Sequence, residues 1–429
     1  MKHTLIYISA LVLLFGISSC SRQEKELFDM SGTERVEAAM SETAEILTSA
    51  DNGWVMQYFT NPEGQGHIFL FKFEKNGVVT IAAKNSISTK DVYKSAKSIW
   101  ALDATQGPVL SMKTYNEVFS VFADPLSDGL GYEGDYEFIV LNANSNQVSL
   151  MGKKNRALCT LTPIASTLAW DTYFNPIDQI KDYVINGNDG MQFHLIVDDK
   201  AYLPLEYNSM AMTENVQNAY TFPLIVTREG IEFYNQGILT PGNKYAKHFV
   251  LNNELTKLIC TDPGVNAYIQ SAYTAQEYFY FRLLKNSEWQ INKTDHGTTT
   301  QAAYDAFVNG IKTSKATFNY MAFTFAADST LEIHIRFTVN NVRQDGYFYL
   351  NTDDSNDQLT ITYKSADTNG EVALKRAGGN NLTKGISMLN DIIAGTYKLT
   401  SASGSTLNIQ QMYMTDVADS DRKIKIFVK

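Results

Sequence analysis

The chain has 429 residues, 44% of them apolar, 12% aromatic and 19% charged, with only nine prolines and 26 glycines. These proportions exclude a collagen-like or Pro-rich disordered chain and describe a globular one. The net charge of −10 argues against a nucleic-acid partner, because affinity for phosphates needs clustered Lys and Arg.

Residues 1–20 carry the most specific motif. Lys2 and His3 make a short basic start, and Leu5 to Ile17 is almost entirely apolar. That run is shorter than the roughly 20 helical residues that span a bilayer. Small residues Ser18 and Ser19 then precede Cys20, completing the pattern of a secretory signal. Ile17-Ser18-Ser19-Cys20 resembles the bacterial lipobox, in which the chain is cut before a Cys that then carries lipid on its sulfur and its amine. Residues 1–19 are therefore read as a signal peptide, Cys20 as the lipidation site and 20–30 as a polar tether. Several acyl chains give stable anchoring where one does not. The remaining cysteines, Cys159 and Cys260, sit in apolar strand-like text. They read as two buried thiols, with a disulfide as the alternative in an oxidising compartment.

Ser31 and Glu34 fit a capping box. Val36, Met40, Ala44 and Leu47 recur at helical spacing, so a helix is predicted over about 33–49. Asp51-Asn52-Gly53 stops it. Trp54 to Phe59 follows as a strand with Trp54, Met56 and Tyr58 on one face. His67 to Phe73 alternates cleanly, and Asn76-Gly77 signals a two-residue hairpin turn into Val78 to Ala82. Gly134 to Leu141 and Val148 to Met151 read as another hairpin, and Leu158 to Leu161 as a further strand. Residues 52–164 thus form an antiparallel meander closed by Pro163.

A helical stretch is expected at about Ala165 to Ile185. Strands return at Phe193 to Val197, Leu224 to Thr227 and Ile231 to Tyr234. Tyr268 to Leu284 reads equally as a helix or as an aromatic strand, and Ala302 to Ile311 as a helix. In the final section Leu331, Ile333, Ile335, Phe337 and Val339 alternate with Glu332, His334, Arg336 and Thr338. Such alternation implies antiparallel strands with one wet face. Tyr347 to Leu350, Leu359 to Tyr363, Thr396 to Thr400 and Ile424 to Val428 complete a strongly β end. No fixed-period repeat is visible. The fold class expected is mainly β (β-rich α+β): antiparallel meander, barrel-like or sandwich domains with a few helices. The domains are placed at 31–164 and 165–429, the second β-rich with helical insertions.

Few residues group in a way that announces chemistry. Gly129-Leu-Gly131-Tyr-Glu-Gly134 spells a dinucleotide fingerprint, but a strand follows it where a phosphate site needs a helix. The same loop is acidic, with Asp124, Asp128, Glu133 and Asp135 (and Glu137 beyond). Oxygen-rich loops hold Ca²⁺, which makes Ca²⁺ the one cofactor considered, although the EF-hand spacing is absent and a solvated turn is the simpler reading. Asp353, Asp354 and Asp357 are a similar cluster. His67, His194, His248, His296 and His334 are too far apart in sequence for a local metal motif. No nucleophile elbow or P-loop is present. Tyr278-Phe-Tyr-Phe281 and Tyr347-Phe-Tyr349 are candidate stacking platforms, with core packing as the bland alternative.

Several segments together resemble a known family. They are Leu47-Thr-Ser-Ala-Asp-Asn-Gly-Trp54 with Met56 and Tyr58; Phe71-Lys-Phe73 leading to Asn76-Gly77-Val78; Gly107-Pro-Val-Leu110; Tyr115-Asn116; Asp124-Pro125; Gly134-Asp-Tyr-Glu-Phe138; and Gly152-Lys-Lys154. Their order over about 27–165 is similar to domain-of-unknown-function family 4302, uncharacterised Bacteroidetes lipoproteins often encoded beside SusC/SusD-type uptake systems. A His found in that family near the position of Ser120 is absent here. The resemblance implies an outer-membrane, lipid-anchored protein at the cell surface or periplasmic face, and no known activity. The function expected is that of an accessory protein without catalysis, binding a neutral glycan, a peptide or a SusC/SusD-type partner. A glycan or peptide hydrolase and a structural or adhesive surface module are the alternatives.

Overall fold

The computed structural model describes residues 31–105, 107–125, 131–186, 190–208, 211–214 and 220–429. The leader, Cys20 and the tether lie outside these residues. The described chain is β-rich and antiparallel, and its sheets close into three eight-stranded barrels. Closure removes the unpaired edges that an open sheet would expose.

The first barrel runs β1 (Trp54–Phe59), β2 (Gly66–Phe73), β3 (Val78–Ala83), β4 (Lys94–Ala104), β5 (Pro108–Met112), β6 (Glu137–Ala143), β7 (Val148–Gly152) and β8 (Leu158–Pro163), in sequence order. It closes where β1 pairs antiparallel with β8, Trp54 opposite Pro163. The β2–β3 loop is the four residues 74–77 and not a two-residue turn: Gly77 N–H donates to Glu74 O at 3.0 Å, and only Gly77 of the Asn76-Gly77 pair takes a positive φ, +83°, a conformation open to Gly and costly for a side chain. The second barrel uses β9 (Gln192–Val197) through β18 (Ala267–Ser271), with the small ribbon β14 (Ile238–Leu239) and β15 (Tyr245–Ala246) set aside from it. The third runs from β19 (Trp289–Ile291) to β26 (Lys423–Val428). The stretch after Pro163 thus holds two barrels, and the sheets are barrels rather than sandwiches.

Each barrel follows a helix: α1 (Gly32–Ser49), α2 (Asn175–Val184) and α3 (Ala275–Leu284). Ser31 and Glu34 form the capping box of α1, and Thr274 and Glu277 form another on α3. Two of the helices are tied to their barrels in the same way. Trp54 opens β1 and its indole N–H donates to Leu47 O at 2.8 Å; Trp289 opens β19 and donates to Phe279 O at 3.0 Å. Both rings are fully buried. The described residues therefore form a threefold succession of helix and barrel, a repeat of structure that no periodic residue pattern betrays.

Two further expectations are corrected and one alternative left open is decided. The helix read over Ala165 to Ile185 starts only at Asn175, because Pro176 lies at its first turn. A proline ring clashes with the carbonyl four residues back and blocks extension in that direction. Residues 165–170 instead lie along the first barrel, where Asn52 Nδ2 donates to Ala165 O and Leu168 O, each at 2.7 Å. The Tyr268–Leu284 stretch is both forms in turn, strand β18 and then α3. Finally, β21 (Leu331–Val339) has no fully wet face: Glu332 is 6% exposed and His334 5%. Period-two polarity marks which side faces away from the barrel, but neighbouring polar side chains cover that side. Three helices also interrupt the third barrel: α4 (Thr298–Thr313), α5 (Thr368–Ala377) and α6 (Leu382–Ile393). The last two were missed in a section dominated by alternation.

The first barrel has its own core, centred on Trp54, Tyr58, Phe69, Phe71, Phe119 and Phe122. A second core runs without a break through barrels two and three and takes in only Leu70 and Ala82 from the first.

Candidate functional site

All eight strands of the first barrel bring one set of loops together. β1, β3, β5 and β7 end where β2, β4, β6 and β8 begin, so the connections 60–65, 84–93, 113–136 and 153–157 share one end, the mouth. In the longest, 113–136, the described residues 113–125 form a stopper. It places Val118, Phe119 and Phe122 in the barrel core, with Phe119 and Phe122 edge-on to Tyr58 and Phe69 at 5.0–5.9 Å. The Tyr58 hydroxyl accepts from Asp135 N–H at 2.9 Å and lies 3.2 Å from Asp135 O, which holds the returning end of the loop. Loops this long in compact domains usually carry function.

The acidic residues of that loop do not converge. The Asp124 carboxylate accepts the Tyr115 hydroxyl at 2.7 Å. Glu133, at φ +56°, accepts from Asn61 Nδ2 at 2.8 Å. Asp135 is buried and accepts the N–H groups of Lys154 and Asn155, both at 2.8 Å, so it fastens the β7–β8 turn. Asp128 and the start of the glycine motif fall outside the described residues. Three carboxylates, each with its own separate partners, do not make an oxygen cage for Ca²⁺. Among the described residues no group of three His, Cys, Asp or Glu side chains is placed to hold a metal ion.

Asp124 instead borders a recess of about 200 Å³, walled by Tyr115, Tyr136, Met112, Thr114 and Ser120. Tyr115 is 62% exposed and Tyr136 49%. The hydrogen bond to Asp124 restrains the Tyr115 ring and, as its first cause, raises the phenol pKa. Exposed rings with fixed orientation beside polar groups are the elements of a stacking site. The platforms expected from sequence lie elsewhere: Tyr278, Phe279 and Phe281 are buried on α3, and Tyr347 stacks on His334 with centroids 5.0 Å apart. What marks Tyr115 and Tyr136 is where the loop puts them, which no spacing announces.

The histidines separate as well. His296 is a stitch, accepting Lys425 N–H at Nδ1 (3.0 Å) with Nε2 at 2.9 Å from Asn292 O; burial lowers its pKa. His334 has Glu288 2.9 Å from Nδ1 and Asp345 2.8 Å from Nε2. Arg336 and Arg343 also donate to Asp345, at 2.6 and 2.7 Å, and hold its carboxyl well below the usual range despite the opposing effect of burial. His248 belongs to a network where barrels one and two meet. Its Nδ1 lies 2.6 Å from Asp262 and its Nε2 3.5 Å from Glu232, which also receives Lys247 at 2.9 Å and Gln57 from β1 at 2.6 Å. Burial pushes the Glu232 carboxyl up, but the bonds from His248, Lys247 and Gln57 outweigh it and bring the pKa to about 2. The bond to Glu232, ahead of that to Asp262, raises the His248 pKa. Cys159 and Cys260 are free buried thiols in different barrels, pushed by burial to about 12 and about 11, far from the thiolate needed for nucleophilic work.

The family model described as Domain of unknown function (DUF4302) matches residues 24–325. The chain belongs to that family, and the matched region covers the first two barrels and enters the third. No curated protein matches the chain.

Proposed function

We propose that this protein is a lipid-anchored accessory protein of the outer membrane that binds a neutral glycan or an uptake partner without turning it over. The observation that carries the reading is the tyrosine-walled recess at the mouth of the first barrel. Its volume of about 200 Å³ is on the scale of a sugar ring, below the roughly 300–1,000 Å³ of drug-sized sites. Tyr115 and Tyr136 offer ring faces to the apolar face of a sugar, and Thr114 and Ser120 supply hydroxyls beside them. Asp124 is engaged by Tyr115, which suits a carboxylate that positions a ring. The signal-like leader with its lipobox at Cys20 supports the anchored address. SusC/SusD-type uptake proteins are the partners that fit such an address.

Calorimetric titration with neutral oligosaccharides tests the site. Tyr115→Ala and Tyr136→Ala should each weaken binding about tenfold or more, the scale of one lost aromatic contact. Co-purification of the acylated protein from solubilised membranes tests the partner. Turnover of a glycan or peptide by the pure protein, abolished by one carboxylate or His substitution, would replace the reading with a hydrolase.

A further inference from the structure

A second recess at the same mouth lies between the first barrel and α2. It encloses about 490 Å³ and adjoins a deeper pocket of about 30 Å³. His67, Lys84, Asn85 and Lys181 line both. Four hydrogen-bond donors therefore converge, from β2, from the end of β3 and from α2.

Among the described residues only one of the four donors has an acceptor. Lys84 is paired with Asp178. Lys181 Nζ has no hydrogen bond or ion pair among the described residues, and its interactions with Asp178 and Asp91 act only at longer range. Asn85 is 7% exposed. Its side-chain oxygen accepts the N–H groups of Ile87 and Ser88 at 2.9 and 2.7 Å, which fixes which end of the amide is nitrogen. That nitrogen is buried without an acceptor. The His67 ring leans on Phe122 at 4.7 Å and shows no hydrogen bond among the described residues. Burial, helped by the charge on Lys181, lowers its pKa to about 3, so the ring is neutral.

An unpaired buried donor costs on the order of 1–3 kcal/mol, and an unpaired charge more. A water in the deep pocket would answer the amide; an anionic oxygen would also answer the ammonium. The wider cleft restricts which anion fits. Besides Asp178, which pairs with Lys84, it is lined by Asp91 and by Asp182, one of whose oxygens accepts from Asn186 Nδ2 at 2.7 Å, so a multiply charged anion is repelled while a ligand bearing a cation is not. We propose that this cleft binds a zwitterionic amino acid or short peptide, its carboxylate on Asn85 Nδ2 and Lys181 Nζ and its ammonium toward Asp91 and Asp182. Capture of a terminal carboxylate by converging donors is a recurring mode of peptide recognition. The assignment is independent of the tyrosine recess and stands or falls without it.

The probes are trialanine, its C-terminal amide, its N-acetyl derivative and inorganic phosphate, titrated calorimetrically into the mature protein. Trialanine should bind, and both capped forms should bind at least tenfold more weakly. Lys181→Met keeps the apolar stem and removes the charge. Asn85→Asp keeps the oxygen that accepts from Ile87 and Ser88 and replaces the donor with a second oxygen. Each should weaken trialanine at least tenfold while leaving the far-ultraviolet spectrum and melting cooperativity unchanged. Bound carboxylate should also raise the His67 pKa from about 3, read by NMR titration of the ring, because a nearby negative charge favours the protonated form. Four outcomes overturn the proposal: no binding of trialanine by folded protein at millimolar concentration, equal binding of the amide, trialanine binding unaffected by both substitutions, or phosphate binding more tightly than trialanine. Loss of oligosaccharide binding in Tyr115→Ala with trialanine binding intact separates this site from the tyrosine recess.

Discussion

Glu232 shows how one side chain can make a junction sensitive to pH. It reaches Gln57 on the first barrel and Lys247 and His248 on the second. His248 has a raised pKa, so it holds its proton more tightly folded than unfolded. Its contribution is full below the unfolded value near 6.5 and fades as pH rises through the raised folded value. Glu232 behaves oppositely: its contribution is present above the unfolded value near 4.5 and is lost as pH falls toward about 2. Both contribute fully only between these limits. His248→Gln should therefore lower the melting temperature clearly at about pH 5.5 and much less at about pH 9. A loss of equal size at both values would remove His248 from the junction. At this scale the sequence was legible only in part. Asp124 and Asp135 could be picked out as polar loop residues. That one orients a tyrosine and the other fastens a turn depends on Tyr115 and on Lys154 and Asn155, and a residue list does not pair them.

The elements were legible where a local rule dictates them. Ser31 with Glu34 fixes the start of α1, and Asn76-Gly77 fixes the β2–β3 turn, because capping and positive φ are decided within four residues. Helices α5 and α6 were missed although Asp367 and Asn381 cap them, each accepting a backbone N–H three residues on. They lie between strong strands, and the alternating text around them masks a change of period. The tie between helix and barrel was equally hidden, since Leu47-to-Trp54 and Phe279-to-Trp289 differ in length and share no other residues in register. Its physical content is nevertheless simple: a fully buried indole whose N–H has one acceptor, a carbonyl of the preceding helix, in the last turn of α1 for Trp54 and in the middle of α3 for Trp289. Trp54→Phe and Trp289→Phe keep most of the ring and remove that hydrogen bond. Each should cost about 1–3 kcal/mol, the lost buried hydrogen bond plus the missing ring atoms. Chemical denaturation checks this, and amide exchange should quicken first in α1 for the former and in α3 for the latter.

The largest scale was the least legible, because the number of closed sheets depends on which strands pair and not on what each strand looks like. β1 meets β8 more than a hundred residues later, and β19 meets β26 at a similar distance. The way the cores are divided still leads to a prediction. Barrel one encloses its own apolar cluster, whereas barrels two and three share a continuous one. Between barrel one and the rest lie a small cluster of Phe59, Ala157 and Ile225, the contacts of Leu70 and Ala82, and the Glu232 network. Cooperativity follows the continuity of the core, so the full chain should unfold in two calorimetric transitions, one for barrel one and one for barrels two and three together. Gly66 is the place to test the coupling. A Cβ there would sit 2.5 Å from Ile225 Cβ and 2.9 Å from the Phe59 ring, so only Gly lets the two barrels approach this closely. Gly66→Val should push the barrels apart at a cost of about 1–3 kcal/mol. It should widen the gap between the transitions while leaving the one for barrels two and three nearly in place. Raising the pH past the titration of His248 should widen the gap in the unsubstituted protein in the same direction, because it weakens the same junction by a different route. A single transition in both proteins at every pH would mean that the junction couples the barrels as strongly as a shared core does.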